Sequence, residues 1–553
     1  VAEGWENNSV GYQVFIASFA DSDGDGMGDL QGVISKLDYL QELGVDTLWL
    51  TPFQHSNSYH GYDIMDYFTV DPRFGTIDDY RELLYKAHKK GMKVLMDFVL
   101  NHTSPSNPWF VKSQNLVKET IVLPDGTEKV IDYRNFYTWQ NEDYVSKLTD
   151  PAAKAQWFKD ANGYYFYSSF GSSMPELNFD YQATRDAILE VALYWMSFGL
   201  DGFRLDAVKH IYMANEGRDR SDWVVEDKGE TGDYSFDMNK DAHFFMEFNA
   251  KLKASYPNAL LLGENFNGDP AYLAGLYGGM DSQFNFNWYY DATYALAEIA
   301  SGKADMAAKV LNQYDSAQFN FSQFRTDYID GVFTSNHDVQ RARDKLYKTD
   351  VGVALTEKAD GAAWNQSENL AKLWAGMSLT IPGITWIYNG DELGMFGTKT
   401  ANKEGDGAGH EDRWYRQPMK WTKELKDSES NCYYPMGFNN YVMTWDALNA
   451  QLDGVEEQRD DKNSIFNLYK SIIKIRKKNP VLARGKVVSH TTKGNVICYS
   501  VTDGTSEILV YVNASNTAQT ISYALPEEVE LLYGSGVAEA HVPAMSIQIY
   551  KVK

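Results

Sequence analysis

The chain has 553 residues, of which 44% are hydrophobic and 14% aromatic, and its formal net charge is −25. This length and composition suit a folded protein of several domains, and two cysteines, Cys432 and Cys498, are too few for a disulfide scaffold. The acidic balance argues against nucleic acid as a partner, because polyanions are bound by clustered Lys and Arg.

Short apolar runs alternate with amphipathic stretches from the start of the chain to about residue 390. Continuous apolar character is typical of parallel strands that are covered on both faces. The eight runs are Tyr12–Phe19, Thr47–Phe53, Lys93–Val99, Gly202–Val208, Leu260–Glu264, Ser282–Phe286, Gly331–Ser335 and Ile384–Tyr388. Between them, Arg185–Phe198 has an apolar stripe at helical spacing and is followed by the helix stop Gly199. The alternation predicts a (β/α)8 TIM barrel.

Two long intervals interrupt the barrel pattern. The interval from His102 to Pro175 is too long for a simple connection and is rich in aromatic residues, so we expect a subdomain inserted after the third strand. A second insertion, about Gly397 to Asp461, follows the eighth strand. The near-apolar stretch Ala375–Tyr388 contains Pro382-Gly383 and is too short to span a bilayer, so no membrane span is predicted.

The pattern changes after the predicted helix Phe466–Lys478, which ends at Asn479-Pro480. Short strand patterns follow at Glu507–Val512, Thr520–Leu525 and Ser546–Val552. The predicted domains are a barrel in two parts (1–102 and 176–478), an inserted subdomain (103–175) and a C-terminal all-β sandwich (479–553).

Three of the apolar runs end in or run up to a carboxylate, namely Asp206, Glu264 and Asp338. The C-terminal ends of parallel barrel strands surround one mouth, where barrel enzymes carry out their chemistry. Arg204 lies two residues before Asp206, so both side chains project to the same side and the guanidinium would keep the carboxylate ionised. Glu264 ends a buried strand, where partial burial and nearby negative charge favour its protonated form.

An ionised and a protonated carboxyl group together are what retaining glycosidic cleavage requires, one as nucleophile and the other as acid and then base. Asp338, beside His337, would hydrogen-bond sugar hydroxyls as the ring flattens toward the transition state. A single acid at a strand end is more often a helix cap or a surface charge. The combination of the three is what predicts a glycosidase.

Several oxygen donors crowd the segment that follows the first strand. Alternate aspartates with Gly26 at the sixth position are similar to the first half of an EF-hand loop, with a nearby aspartate in place of the distant glutamate. The predicted ligands of a structural Ca²⁺ are Asp21, Asp23, Asp25, Met27 and Asp29. The alternative is a flexible acidic loop that binds no cation.

Across nearly its whole length the chain resembles glycoside hydrolase family 13, the α-amylase family. The resemblance rests on Asp97-Phe-Val-Leu-Asn101-His102, Gly202-Phe-Arg204-Leu-Asp206-Ala-Val-Lys209-His210, Gly263-Glu264-Asn265 and Ser335-Asn336-His337-Asp338. It implies that Asp206 is the nucleophile, Glu264 the general acid/base and Asp338 the transition-state stabiliser.

The resemblance also implies a set of residues that bind sugar. His102, Arg204 and His337 would contact the sugar at the cleavage subsite, Tyr62 and Asp63 would match the family's stacking tyrosine and sugar-binding aspartate, and Lys209 and His210 would lie at the reducing-side subsite. Arg416 would also belong to this set, because Arg416–Trp421 resembles the family's arginine-led segment after the eighth strand. In this segment Gln417 and Lys420 replace the Thr and Gln that are commoner in the family. Tyr164 to Tyr167 are further aromatic candidates, although we expect most tyrosines to serve packing.

Ala207 and the Lys209-His210 pair favour α-1,4 linkages, so the resemblance implies an α-amylase that cleaves internal bonds of starch and maltooligosaccharides. Met174-Pro-Glu-Leu-Asn178 is intermediate between the oligo-1,6-glucosidase and neopullulanase patterns, and loops similar to the acidic one bind calcium in oligo-1,6-glucosidase-like members. Exo-acting α-glucosidase, oligo-1,6-glucosidase and mixed α-1,4/α-1,6 activity therefore stay open. A catalytically silent sugar-binding relative is a further alternative, against which the three carboxylates argue.

The remaining expectations concern assembly and location. We expect a monomer with an α-glucan substrate. The chain starts at Val1 rather than Met, which is compatible with a removed leader, so we expect a secreted or cell-surface protein, with the cytoplasm as the alternative.

Overall fold

The structure is a computed structural model, and it describes residues 4–212, 238–266, 269–348, 361–397, 411–424, 434–436, 441–443, 445–491 and 493–553. Cys432 and much of the predicted second insertion lie outside these residues. The chain divides into two compact units. The first unit comprises Val1–Trp49, Tyr85–Lys93 and Phe284–Lys553, and the second comprises Leu50–Leu84 and Val94–Gln283. None of the described helices is long and apolar enough to cross a membrane.

The described residues form 24 strands. They are β1 (Val10–Val14), β2 (Thr47–Leu50), β3 (Gln54–Ser56), β4 (Ile64–Val70), β5 (Lys93–Phe98), β6 (Lys118–Val122), β7 (Glu128–Asp132), β8 (Trp139–Gln140), β9 (Trp157–Lys159), β10 (Tyr165–Tyr167), β11 (Gly202–Leu205), β12 (Leu260–Gly263), β13 (Ser282–Phe284), β14 (Ile329–Gly331), β15 (Thr385–Tyr388), β16 (Tyr434–Met436), β17 (Tyr441–Met443), β18 (Lys486–Ser489), β19 (Val496–Thr502), β20 (Glu507–Asn513), β21 (Gln519–Thr520), β22 (Val529–Tyr533), β23 (His541–Val542) and β24 (Ser546–Val552).

The described α-helices number 17. They are α1 (Leu30–Ser35), α2 (Leu37–Leu43), α3 (Ile77–Lys89), α4 (Pro108–Gln114), α5 (Glu142–Lys147), α6 (Pro151–Lys154), α7 (Gln182–Met196), α8 (Met238–Ser255), α9 (Pro270–Leu276), α10 (Thr293–Ala300), α11 (Lys309–Phe324), α12 (Ala342–Lys348), α13 (Gly361–Ser378), α14 (Ala447–Ala450), α15 (Val455–Asp460), α16 (Ile465–Lys478) and α17 (Val481–Arg484).

The predicted TIM barrel is confirmed. Eight strands form one sheet in the order β14-β13-β12-β11-β5-β2-β1-β15. The two ends of this order are themselves paired, because the amides of Ile384 and Trp386 each donate a hydrogen bond of 2.8 Å to the β14 segment, at Asp330 and Val332. Each strand overlaps one predicted run, although β1 ends at Val14 because a 3-10 turn begins at Ile16.

Helix α7 shows how the sequence positions the strand that follows it. Its buried positions, among them Ile188, Ala192 and Trp195, recur at helical spacing as predicted. The amide of Gly199 donates to Met196 O at 2.9 Å with a φ of +98°, a conformation that glycine adopts without steric cost. The chain is thereby turned into β11, which carries Arg204.

The interval from His102 to Pro175 has sheets and a core of its own. It contains the β6–β7 hairpin and a three-stranded sheet in the order β8-β10-β9. Val145, Leu148, Trp157 and Tyr167 form a buried cluster within it. The predicted inserted subdomain is thus present, whereas the predicted boundary residues stay a prediction.

The C-terminal region is an antiparallel β-domain, as predicted. Five strands pair in the order β18-β19-β20-β24-β22, and β21 pairs with β23. The predicted strand Thr520–Leu525 is wrong, because β21 ends at Thr520. The Ile521 amide still donates to Ala540 O at 2.9 Å. Ile521, Tyr523 and Leu525 pack against the domain's buried cluster, so their alternation reflects burial of one face rather than a strand that continues to Leu525.

Candidate active site

The carboxylates of Asp206 and Glu264 lie at the ends of neighbouring strands. β11 and β12 pair in parallel with Leu205 opposite Gly263, so the next residue on each strand is one of the two acids. Backbone hydrogen bonds continue past the strand ends, since the Asp206 amide donates to Phe98 O at 3.1 Å and the Glu264 amide donates to Leu205 O at 2.9 Å. Parallel register alone therefore brings these two predicted residues together.

One buried guanidinium contacts both acids. Arg204 Nη1 donates to Asp206 Oδ1 at 2.6 Å, and Nη2 lies 3.0 Å from Glu264 Oε2. Glu264 Oε2 also accepts the Ala207 amide at 3.1 Å. The predicted pairing of Arg204 with Asp206 is present, and the same arginine fixes the second acid as well.

Asp97 is a third acid at this arginine, and it is not among the predicted site residues. It is fully buried at the end of β5, where its Oδ1 accepts from Arg204 Nη1 at 2.9 Å and its Oδ2 accepts from the Tyr62 hydroxyl at 2.7 Å. Asp97 opens one of the motifs that carry the family resemblance, so the signal was present in the sequence. Its negative charge helps to keep Arg204 charged, because three acids and Tyr62 raise the pKa of the guanidinium well above its usual value.

Burial and the neighbouring charges act on Asp206 in opposite directions. Burial raises its pKa to about 6, and the charge of Asp97 adds to this increase. The positive charge of Arg204 and a hydrogen bond with Glu264 oppose the increase. Asp206 is therefore mainly ionised at neutral pH and lies beside a second carboxyl group, that of Glu264.

Ala207, directly after the predicted nucleophile, has a left-handed backbone with a φ of +48°. A non-glycine residue in this region stores strain of order 1–3 kcal/mol, and such strain is often found at functional sites. The turn leads into a short 3-10 segment, Val208–His210, and the Val208 amide donates to Glu264 O at 3.2 Å. The turn therefore ties the loop that carries Lys209 and His210 to the strand end of Glu264.

Tyr62, Asp63 and His102 are buried near this centre. The Tyr62 ring lies 5.7 Å from the Arg204 guanidinium, and His102 Nε2 lies 2.8 Å from Tyr62 O. Burial lowers the pKa of His102 to about 4, so the imidazole is neutral at physiological pH. Asp63 accepts hydrogen bonds from the amide and hydroxyl of Ser58, and burial raises its pKa.

Phe170, from the inserted subdomain, lies between two of the predicted sugar-binding histidines. Its ring centroid is 5.4 Å from that of His102 and 5.1 Å from that of His210, and 43% of the residue is exposed. Phe170 is not among the aromatic candidates predicted from the sequence, which are Tyr164 to Tyr167. Of these, Phe166 and Tyr167 are buried within the subdomain, and the Tyr164 ring lies 4.8 Å from the Arg134 guanidinium.

Asp338, His337 and Arg416 form a group in the first unit. Arg416 Nη2 donates to Asp338 Oδ1 at 2.9 Å, and Arg416 Nε donates to His337 O at 2.9 Å. His337 Nε2 lies 3.0 Å from Asp338 Oδ2, while its Nδ1 lies 2.7 Å from Gln13 Nε2. Asp338 is thus held by a buried arginine and a buried histidine, yet 43% of its side chain is exposed to solvent. The side chain could therefore accept hydrogen bonds from a ligand.

The acidic loop after β1 brings three of its predicted ligands together. One carboxylate oxygen from each of Asp21, Asp23 and Asp29 lies within 4.8 Å of the other two. Asp25 is not in this cluster; its Oδ1 accepts the Met27 amide at 2.8 Å, and burial and the neighbouring aspartates raise its pKa. Asp29 also caps α1 by accepting the Gly32 amide at 2.6 Å, which fixes its orientation.

Comparison with known proteins decides the family. A family model described as the α-amylase catalytic domain matches residues 13–485. The chain belongs to the α-amylase family. It is a glycoside hydrolase that acts on glucans, and the resemblance inferred from its motifs is confirmed.

Curated relatives in this family carry different named activities. "Alpha-amylase 3" of Dictyoglomus thermophilum is 32% identical over 538 residues, which cover 96% of this chain and 90% of the relative. "Trehalose synthase/amylase TreS" of Mycobacterium tuberculosis is 29% identical over 87% of this chain and 76% of the relative. "Oligo-1,6-glucosidase" of Bacillus cereus is 28% identical over 96% of this chain and 94% of the relative.

The fold has a close counterpart among solved structures of the family. The crystal structure of α-amylase from H. orenii superposes with a TM-score of 0.76 at 26% identity, over 99% of this chain and all of the other. The chain is thus similar in fold to a named α-amylase.

Proposed function

We propose that the protein is a retaining α-amylase that cleaves internal α-1,4-glucosidic bonds of starch and maltooligosaccharides. The observation that carries the proposal is the single buried Arg204 between the carboxyl groups of Asp206 and Glu264. This arrangement supplies an ionised carboxylate beside a second carboxyl group, as double displacement requires.

In the proposed reaction, Asp206 attacks the anomeric carbon while Glu264 protonates the glycosidic oxygen, so the leaving chain departs and a glycosyl ester forms. Glu264 then takes a proton from water, the water oxygen attacks the anomeric carbon, and the ester bond to Asp206 breaks. Two inversions return the product to the α-configuration. Asp338 would stabilise the oxocarbenium-like transition state by accepting hydrogen bonds from sugar hydroxyls.

Some features of the sequence and of its relatives support α-1,4 specificity, and others favour an alternative. Ala207 and the Lys209-His210 pair match the α-1,4 pattern of the family, and a named α-amylase is 32% identical to the chain. Met174–Asn178 and the oligo-1,6-glucosidase relative favour exo-acting or mixed α-1,4/α-1,6 activity as the second candidate.

A maltooligosaccharide blocked at its non-reducing end separates the two candidates. The α-amylase proposal predicts that the enzyme cleaves the blocked chain, whereas an exo-acting enzyme would leave it intact and cleave only the unblocked control. Proton NMR of fresh product should show the α-anomer, and initial β-anomer would contradict a retaining mechanism. Turnover of pullulan and soluble starch in parallel measures the α-1,6 contribution.

We also propose that Asp21, Asp23 and Asp29 hold a structural Ca²⁺, with Asp25 and the Met27 main chain as further ligands. The donors fit this ion, because Ca²⁺ is a hard cation that takes several oxygen ligands from flexible loops. Three carboxylate oxygens within 4.8 Å of one another would repel without a cation. The ion would stabilise the turn that leads into α1 and would take no part in catalysis.

We expect the enzyme to act as a secreted or cell-surface monomer. Size-exclusion chromatography with light scattering tests the oligomeric state, and fractionation of the producing cells tests the location. A dimer, or recovery of the enzyme in the cytosolic fraction alone, would contradict this part of the proposal.

A further inference from the structure

Gln13 is a buried polar residue of the barrel to which the proposed reaction assigns no role. Its main chain is fixed in β1, where Gln13 pairs with Tyr388 of β15 and its carbonyl accepts the Asn389 amide at 3.1 Å. Only 1% of the residue is exposed, and its side-chain nitrogen Nε2 lies 2.7 Å from His337 Nδ1. A buried amide needs a hydrogen-bond partner, and Gln13 has its partner on a residue of the candidate active site.

The two ring nitrogens of His337 have neighbours that favour the same position for the ring proton. Gln13 Nε2 can only donate a hydrogen bond, so His337 Nδ1 accepts it and carries no proton. A neutral ring then carries its proton on Nε2, which lies 3.0 Å from Asp338 Oδ2. A carboxylate can only accept, so Asp338 also favours a proton on Nε2.

The surrounding residues fix the orientation of the His337 ring. The ring is fully buried, and its centroid lies 6.0 Å from that of Phe15 and 5.8 Å from that of Trp49. On the other side of Asp338, Arg416 Nη2 holds Oδ1 at 2.9 Å. Packing alone does not decide which ring nitrogen is protonated, because the two tautomers have nearly the same shape. The hydrogen bond from Gln13 makes that choice.

We propose that Gln13 is a positioning residue, which keeps the proton of His337 on Nε2 and thereby holds Asp338 Oδ2 in place for the transition state. In the other tautomer, the lone pair of Nε2 would face the carboxylate and repel it. Gln13 acts through His337 and does not itself take part in the chemistry. The effect on catalysis rests on the proposed role of Asp338, whereas the tautomer of His337 does not.

Nitrogen NMR of enzyme labelled with ¹⁵N-histidine tests the proposal, because protonated and unprotonated ring nitrogens have well-separated chemical shifts. The chain contains ten histidines, so the His337→Asn variant is needed to assign the signals. We expect a protonated Nε2 and an unprotonated Nδ1 in the wild-type enzyme. Gln13→Glu replaces the donor by an acceptor of the same length and should place a proton on Nδ1. Gln13→Met removes the donor without adding charge and should give a mixture of tautomers.

Kinetics of the same variants measure the consequence for catalysis. Gln13→Met should lower kcat about three- to tenfold with little change in KM, because the lost hydrogen bond supports a group that acts in the transition state. Gln54→Met is the matched control, since Gln54 is also fully buried but its Nε2 donates to a main-chain oxygen, Tyr67 O, at 2.8 Å. The control should lower the melting temperature without changing kcat or the tautomer of His337.

A protonated Nδ1 in the wild-type enzyme, or the same tautomer in the wild-type enzyme and both Gln13 variants, would overturn the proposal. Equal losses of kcat in the Gln13→Met and Gln54→Met variants would also overturn it, because they would reflect a general effect on stability. Asp338→Asn distinguishes a failure of the proposed function. Near-normal kcat in that variant would contradict the role of Asp338 and would leave the NMR result on the tautomer unaffected.

Discussion

Arg204→Lys tests whether one guanidinium sets the charge of the proposed nucleophile. The guanidinium contacts Asp97 and Asp206 through Nη1 at 2.9 and 2.6 Å, and Glu264 through Nη2 at 3.0 Å. Lysine keeps the positive charge but presents one nitrogen, which cannot reproduce this fork. We therefore expect the variant to retain the fold with a lower melting temperature and to hold Asp206 less well in its ionised form.

The magnitude follows from the hydrogen bond that is lost. A hydrogen bond to a charged group contributes about 1.5–3 kcal/mol, and about 1.4 kcal/mol corresponds to one pKa unit. Since lysine keeps part of the attraction, we expect the pKa of Asp206 to rise by about one unit from its value of about 6. The ionised fraction at pH 6 would then fall from about one half to about one tenth, a loss of about fivefold, whereas at pH 8 the loss would be about 10%.

The assay is the pH profile of kcat/KM on a short maltooligosaccharide, whose acidic limb reports the free enzyme. A raised pKa moves the acidic limb to higher pH, because the carboxylate is the active form. The control is Arg341→Lys, which alters another fully buried arginine that contacts an aspartate, Asp391, at 2.9 Å. This control should lower the melting temperature without moving the acidic limb. An unmoved limb in the Arg204→Lys variant, or the same shift in the control, would refute the reasoning.

Three further predictions concern the acidic loop after β1, Phe170 and Asp338. Chelation of calcium should lower the melting temperature of the enzyme, and the decrease should be smaller in the Asp23→Asn variant. An unchanged melting temperature, together with metal analysis that finds no calcium, would contradict the proposed calcium site. Phe170→Ala should raise KM severalfold. Tyr164→Ala is the control, because it alters an equally exposed aromatic residue of the same subdomain, and it should leave KM unchanged. Equal effects of the two substitutions on KM would contradict a role for Phe170 in sugar binding. Asp338→Asn should lower kcat by about 10²–10³ with little change in the melting temperature, and near-normal kcat would exclude transition-state stabilisation by Asp338.

The paired acids could be predicted from the sequence because their placement depends on strand geometry. Arg204 and Asp206 share one side of a strand through the period of two, and parallel register brings Glu264 beside them. Asp97 was within reach of the same reasoning, since it lies one residue before the end of the neighbouring strand β5. Which acids an arginine contacts, however, depends on the pairing of strands that are distant in sequence.

Other features depend on packing that periodicity does not encode. Phe170 lies beside His102 and His210 because of how the inserted subdomain folds, and its local sequence resembles that of any loop aromatic. Alternation at Ile521, Tyr523 and Leu525 predicted a strand, yet the strand ends at Thr520 and these residues bury one face beyond it. In the acidic loop, the spacing predicted the donors, and three of the four aspartates cluster as expected.

Trapping of the glycosyl-enzyme intermediate tests the central claim most directly. A fluorinated α-glucosyl donor that slows the second displacement would be incubated with the enzyme, and the protein digested and analysed by peptide mass spectrometry. The account predicts a glycosyl ester on the peptide that contains Asp206 and none in the Asp206→Asn variant. An ester on another carboxylate, or efficient turnover by the Asp206→Asn variant, would contradict it.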